Sequence, residues 1–594
     1  MKNDPFAVWA PKAETVDLVL VDPADGARRQ LPMEPDGGGF WRPVGGLAEP
    51  SADRPLDYGY LIDGAEEPVP DPRARRAPHG VHGLSRTFDP SAHRWSDHLW
   101  TGRQLPGGIV YELHVGTFTP EGTLRSAIGR LDHLVELGVT LVELMPVNAF
   151  NGSHGWGYDG VLWCAVQEEY GGPAAYQAFV DACHQRGLGV IQDVVYNHLG
   201  PSGNYLPQFG PYLSEGAANT WGDTLNLDGE DSDEVRRFII DNALMWLREY
   251  HVDGLRLDAV HALVDSRATH LLEELSIDVL ALSAFLNRPL SLIAESDMNN
   301  PRLITTRDGG GYGLTGQWSD DFHHALYVSL TGDTSGYYAD FDSLEALGKV
   351  FTDGFFHTGT KSSFRQRSHG HPIDTFRTPT WRLVVYSDNH DQIGNRAAGE
   401  RLSAKISPAQ QGLAALITLL SPFTPMIFMG EEWGATTPWQ FFTSHPEPEL
   451  AEAIRQGRLD EFAQMDWDLS TVPDPQDPAT FAASKLDWSE LSRSSHAEQL
   501  ELITRLLEIR RTYPDFTDPS FDAGRAESDD EAGWLLLERG SMTLVVNFGD
   551  RPATVGVERE LSPVIVLGEV DVADVEVRLG PHSGLAAQTP QPPR

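Results

Sequence analysis

The sequence predicts an α/β protein centred on a (β/α)8 TIM barrel, with an N-terminal β-sandwich domain and a C-terminal β domain. From residue 108 onward, apolar β-branched runs alternate with amphipathic stretches, the pattern of a parallel sheet with right-handed helical crossovers. Eight such runs fall within roughly 350 residues, which suits a closed barrel better than an open sheet. Short β-like runs, split by Pro, Gly and Asp clusters, stand before residue 100 and again after Pro514.

A chain of 594 residues exceeds one ordinary core. Residues 1–92 hold the runs 6–10, 15–21 and 58–62 and form the expected N-terminal domain, joined to the barrel by a Pro- and Arg-rich connector over 63–90. The catalytic barrel is expected over 93–515. Its strands should lie in 109–118, 141–147, 190–198, 254–260, 292–297, 317–322, 383–391 and 426–431. Helices are expected at 123–137, 173–185, 233–250 and 408–420, with a further one at 498–512. Residues 516–594 should form the C-terminal β domain.

Composition narrows the function. The formal charge of −41 repels nucleic acid and anionic membranes but leaves a neutral ligand such as a sugar unaffected. No apolar run approaches the ~20 residues of a membrane span, and the first residues lack a secretory pattern. Two cysteines, Cys164 and Cys183, are too few for a disulfide framework and suit a cytoplasmic protein.

In such a barrel the working face is the C-terminal end of the strands, and there polar residues concentrate. Run three ends Asp193-Val194-Val195-Tyr196-Asn197-His198. Run four reads Arg256-Leu257-Asp258-Ala259-Val260-His261, run five ends in Glu295, and run seven in Asn389-His390-Asp391. Residues i and i+2 of a strand share a face, so Arg256 and Asp258 project together. An adjacent guanidinium favours the charged carboxylate, as a nucleophile needs. Glu295, one strand over and near that charge, suits a general acid. Two carboxyls about 5–5.5 Å apart define the retaining arrangement of glycoside cleavage. Asp391 supplies a third acid, able to bind sugar hydroxyls. A single strand-end acid is more often a helix cap, but four strands ending this way point to a catalytic face.

These four segments, in this order, resemble the conserved motifs of the α-amylase family (glycoside hydrolase family 13). The resemblance implies that Asp258 is the nucleophile, Glu295 the acid/base and Asp391 the transition-state stabiliser. It implies that Arg256 orients the nucleophile, and that Asp193, His198 and His390 contact the sugar while Tyr158, in Gly157-Tyr158-Asp159, stacks on it. His261 and Arg396, within the extended motifs, are further expected substrate contacts. Phe6-Ala7-Val8-Trp9-Ala10-Pro11 resembles the β-sandwich of the family's branching, debranching and trehalose-forming enzymes, while Glu295-Ser296-Asp297-Met298, Met429-Gly430-Glu431-Glu432-Trp433-Gly434 and the stretch 359–370 are similar to its trehalose-releasing branch. That likeness implies hydrolysis of the α-1,4 bond beside the terminal trehalose of a neutral maltooligosyl-trehalose, with maltooligosyltrehalose synthase as pathway partner. Phe355 and Phe356 are expected walls for the trehalose end. The short stretch 199–231 implies a reduced domain B.

No cofactor and no metal are expected. Asp308-Gly309-Gly310-Gly311-Tyr312-Gly313 matches no nucleotide-loop spacing. His323, His324, His369 and His371 lack a fixed spacing with Cys or acids. A monomer or a homodimer is expected. A glucan branching or debranching enzyme is the alternative within the family, and a non-catalytic glucan-binding protein the alternative outside catalysis.

Overall fold

A computed structural model describes residues 4–45, 47, 51–219, 222–463 and 471–589. Residues 1–3, 46 and 48–50 of the expected N-terminal domain, 220–221 of the expected domain B, 464–470 of the expected barrel domain and 590–594 of the C-terminal domain lie outside the described residues.

Eight parallel strands close into a barrel: β1 (Val110–Leu113), β2 (Leu141–Leu144), β3 (Gly189–Val194), β4 (Gly254–Leu257), β5 (Ser291–Ala294), β6 (Gly316–Trp318), β7 (Leu383–Val385) and β8 (Thr424–Phe428), the last pairing back to β1. Each expected run begins within two residues of a strand. Most runs outlast their strands, because the polar residues that end a run leave the sheet as loops. Run six differs further. Its strand stops at Trp318, and a helix, Asp320–Thr331, takes Phe322 onto its buried face. The stretch 123–137 divides into Leu124–Ile128 and Leu131–Leu137 at Gly129, a residue that weakens a helix interior by about 1 kcal/mol.

The barrel floor is apolar. Val110, Leu141, Ile191, Ile293, Trp318, Val384 and Met426 meet on the axis as a separate buried cluster. Two residues further along the strands the same inward face turns polar, with Glu112 opposite Glu143 and Asp193 opposite Arg256. The strand period thus delivers a charged layer directly above a dry one.

In the N-terminal domain the strand Arg28–Pro35 pairs with Val16–Val21 through residues 28–32 and with Phe40–Pro43 through 33–35, joining six antiparallel strands into one sheet. Between β3 and the helix Ser232–Glu249 the described residues form a short helix, Leu206–Phe209, and a two-stranded ribbon, Leu213–Asn219 with Gly222–Leu225. A helix, Ser494–Thr512, closes the barrel: its Arg510 donates to the carbonyls of Leu419, Ser421 and Phe423. The C-terminal domain has a five-stranded and a three-stranded antiparallel sheet that share a core of Leu536, Val545, Val555, Val577, Leu579 and Leu585. Cys164 and Cys183 are buried and unpaired. Among the described residues, no helix is long and apolar enough to cross a membrane.

Arg236, 1% exposed on the helix Ser232–Glu249, fastens the loop after β4 and the ribbon segment to the barrel. It donates to Asp265 (2.6 Å), Glu274 (2.7 Å) and the carbonyls of Leu227 and Thr269. Arg236→Ala removes the counter-charge of the buried Asp265 carboxylate, leaving it the N–H groups of Arg267 and Leu271, and should destabilise by about 3 kcal/mol. Urea unfolding checks this; a loss below about 1 kcal/mol would remove Arg236 from that role.

Candidate active site

Arg256 sits unexposed at the base of the cleft, its guanidinium 4.4 Å over the Trp318 ring. One nitrogen, Nη1, donates to Asp258 Oδ1 at 2.6 Å and to Asp193 at 2.9 and 3.0 Å. The other, Nη2, lies 3.7 Å from Glu295 Oε2. A single planar cation on β4 therefore reaches carboxyls from β3, β4 and β5. The second oxygen of Asp258 accepts from Asn197 Nδ2 at 2.7 Å, so donors hold both ends of this carboxylate.

The chain leaves β4 through an unusual turn. Ala259 adopts φ 39°, ψ 52°, a left-handed conformation that a residue with a Cβ enters at a cost of order 1–3 kcal/mol. The strained geometry points the Ala259 N–H at Glu295 Oε2, 2.6 Å away. Burial pushes the Glu295 carboxyl well above its ordinary range; Arg256 opposes this, and the charges of Asp258, Asp320 and Asp391 reinforce it. Burial thus favours the protonated form of Glu295, while donors hold both oxygens of Asp258.

Tyr158 closes the opposite side. It follows Gly157, whose φ of 102° and whose closeness to the Pro146 carbonyl (2.2 Å from an added Cβ) admit only glycine. The Tyr158 hydroxyl donates to Asp193 Oδ2 at 2.7 Å and lies 2.8 Å from His390 Nε2, with the two rings stacked at 5.3 Å. His390 Nδ1 is 2.5 Å from Glu112 Oε1, and the His390 N–H donates to Glu112 Oε2. Burial would lower the pKa of this imidazole, but the charges of Glu112 and Asp391 outweigh it and raise it to about 9. Burial pushes Asp193 up to about 7, against Arg256 and with Asp258. Glu143 is fully buried with neither carboxyl oxygen bonded; burial, Glu112 and Asp193 push its pKa well upward, against Arg256 and His390, which favours its neutral form.

A cavity of about 800 Å³ opens above this layer. It brings together Tyr158, His198, Asp258, His261, Glu295, His390 and Asp391 from the expected set. Asp193 and Arg256 lie just beneath its surface. Three expected contacts lie elsewhere. The side chain of Phe355 is wholly within the core, and Phe356 packs on Phe341 at 4.7 Å, so that Phe341 lines the cavity instead. The cause is local: Asp321 Oδ2 accepts the N–H groups of Phe356 and His357, turning this segment inward. Arg396 is buried against Asp388 (3.2 Å), the Glu400 carbonyl and the Tyr327 ring, where it braces the segment after β7. Sequence reasoning missed Asn197 and Glu112, whose partners are far away in the chain. It also missed Asp320, legible as an acid two residues beyond Trp318 on the inward face.

Replacing Glu112 by Gln removes the main charge that raises His390. The titration midpoint of His390, followed by histidine NMR, should fall well below about 9 because burial is then opposed by Asp391 without Glu112. His390 contributes fold stability that is fully present below pH 6.5 and lost as pH rises through about 9, and the variant should lack this dependence. A midpoint still near 9 in the variant would contradict the assignment.

Comparison with known proteins places the chain. The family model for the alpha amylase catalytic domain matches residues 85–210 and 223–512. Carbohydrate-binding module 48, the isoamylase N-terminal domain, matches 3–74, and a domain of unknown function matches 519–585. A malto-oligosyltrehalose trehalohydrolase of Rhizobium sp. (strain M-11) is 58% identical, covering 97% of this chain and 96% of its own length. One of Arthrobacter ramosus is 58% identical over 98% of this chain and 99% of its own. A solved Salmonella typhimurium structure superimposes with a TM-score of 0.86 at 34% identity, over 98% of this chain and 97% of that one. The chain belongs to the alpha-amylase family, in the group formed by its malto-oligosyltrehalose trehalohydrolase relatives.

Proposed function

We propose that the chain hydrolyses the α-1,4-glucosidic bond beside the terminal trehalose of maltooligosyltrehalose, with retention, releasing trehalose and a maltooligosaccharide. The observation that carries this reading is the 58% identity to trehalohydrolases over nearly the full chain. Those full-length relatives disfavour the branching and debranching alternatives, and the assembled acids disfavour a role in binding alone.

The residues divide the work by charge state. Asp258, its oxygens held by Arg256 and Asn197, attacks the anomeric carbon as Glu295 gives its proton to the departing glycosidic oxygen. Glu295, now a carboxylate, takes a proton from the incoming water, which displaces Asp258 and frees the sugar with its α configuration. Asp391 and the charged His390 face the sugar hydroxyls, and Asp391 stabilises the developing positive charge. Tyr158 stacks beneath the ring, and His198 and His261 complete the wall. The substrate is supplied by a maltooligosyltrehalose synthase. Two unpaired, buried thiols favour a cytoplasmic setting.

The test is incubation with maltooligosyltrehalose, with plain maltooligosaccharide and with amylopectin. Free trehalose from the first is expected, the maltooligosaccharide appearing first as the α anomer by NMR; new α-1,6 branches or a β anomer would refute the reading. Asp258→Asn should lower kcat by at least about 10³-fold with an unchanged circular dichroism spectrum. Retained turnover would refute the nucleophile assignment.

A further inference from the structure

The cleft holds a fourth carboxyl. Asp320 stands two residues beyond Trp318, the end of β6, and continues its inward face. It also opens the helix Asp320–Thr331, where a first-turn acid ordinarily faces solvent and the helix dipole. Here it is half-buried and lines the cavity with Glu295 and Asp391. The hydroxyl of Tyr386, a fully buried side chain just past β7, donates to Asp320 Oδ1. Tyr386 is packed edge-on against Trp318 at 5.4 Å, so this donor is rigid. One oxygen is tied back, and Oδ2 takes no hydrogen bond from the described residues.

Position gives the group its direction. Tyr158, His198, Asp258 and His390, which surround the attacked sugar, come from the ends of β2, β3, β4 and β7. Asp320 follows β6, beyond Glu295 at the end of β5, the side where proton delivery places the departing sugar. We propose that Asp320 is a specificity-determining residue whose free oxygen accepts a hydrogen bond from a hydroxyl of the departing sugar, with Tyr386 as its positioning residue. The inference rests on Glu295 being the acid, as proposed above. Glu295 is faced by Arg256, Asp258, Asp391 and Asp320, so removing one of these negative charges eases its ionisation. Asp320 is itself pushed up to about 7 by burial, opposed by the Tyr386 hydrogen bond and reinforced by Asp297, Asp391 and Asp321.

The test compares Asp320→Asn with the wild type on maltooligosyltrehalose and on α-maltotriosyl fluoride, whose leaving group needs neither a proton nor a sugar contact. Loss of one hydrogen bond to a charged group should lower kcat/KM on maltooligosyltrehalose by roughly 10–100-fold. Turnover of the fluoride should stay near that of the wild type. The alkaline limb of kcat/KM on maltooligosyltrehalose should move to lower pH, because Glu295 loses its proton more readily. Tyr386→Phe should reproduce part of the loss on the natural bond alone. Equal losses on both substrates, or an unmoved alkaline limb with unchanged kcat/KM, would overturn the proposal. A wild type that cleaves the fluoride but frees no trehalose would refute the proposed function instead; the same variants are then decided on plain maltooligosaccharide by the same criteria.

Discussion

Placing Arg256 at the base of the cleft removes a full positive charge from water, a penalty of several kcal/mol even after relaxation. The acids around it offset that penalty, and in doing so they acquire their positions. Asp193 and Asp258 share one guanidinium nitrogen, while Glu295 lies near the other. The planar fork of arginine is suited to this, since its donors point in fixed directions. Trp318 beneath it excludes solvent and supplies a ring face for the cation. Without this cation the layer would hold Glu112, Glu143, Asp193 and Asp258 with only His390 to balance them.

The same balance of charge sets the protons. Two cations stand among more carboxyls than they can neutralise, which favours the protonated form of some of the acids. Glu143, unbonded and remote from solvent, is one. Glu295, next to Asp258 and, among the described residues, held by the Ala259 N–H, is pushed the same way, and it opens to the cavity. In the proposed mechanism, the acid that gives its proton and the donor-held carboxyl on the adjacent strand both draw on one electrostatic shortage. The strained turn at Ala259 belongs to this arrangement, because a relaxed turn would aim its N–H elsewhere.

Much of this was legible in the sequence, for a definite reason. Barrel strands repeat every two residues and end on polar groups, so Asp193, Arg256, Asp258, Glu295 and His390 declared their face and their depth. What the sequence could not convey was contact between distant segments. Phe355 and Phe356 read as apolar walls, yet Asp321 accepts the N–H groups of Phe356 and His357 and folds the pair inward, leaving Phe341 at the cavity. Arg396 read as a ligand contact, yet its partner is Asp388 eight residues earlier. Glu112 lies at the start of the barrel and His390 near its end, and only closure of β8 onto β1 makes them neighbours. Asp320 was hidden differently: its run was read as strand throughout, while the chain turns into a helix at that residue.

The central claim is that the geometry of the Arg256 guanidinium, and not its charge alone, assembles the acids. Arg256→Lys keeps the charge and removes the fork. The decisive measurement is kcat/KM for trehalose release by this variant, with its thermal midpoint recorded alongside. The account predicts a loss of at least about 10²-fold in a protein that still folds, because a single ammonium cannot hold Asp193 and Asp258 while facing Glu295. Activity within a few-fold of the wild type would contradict it.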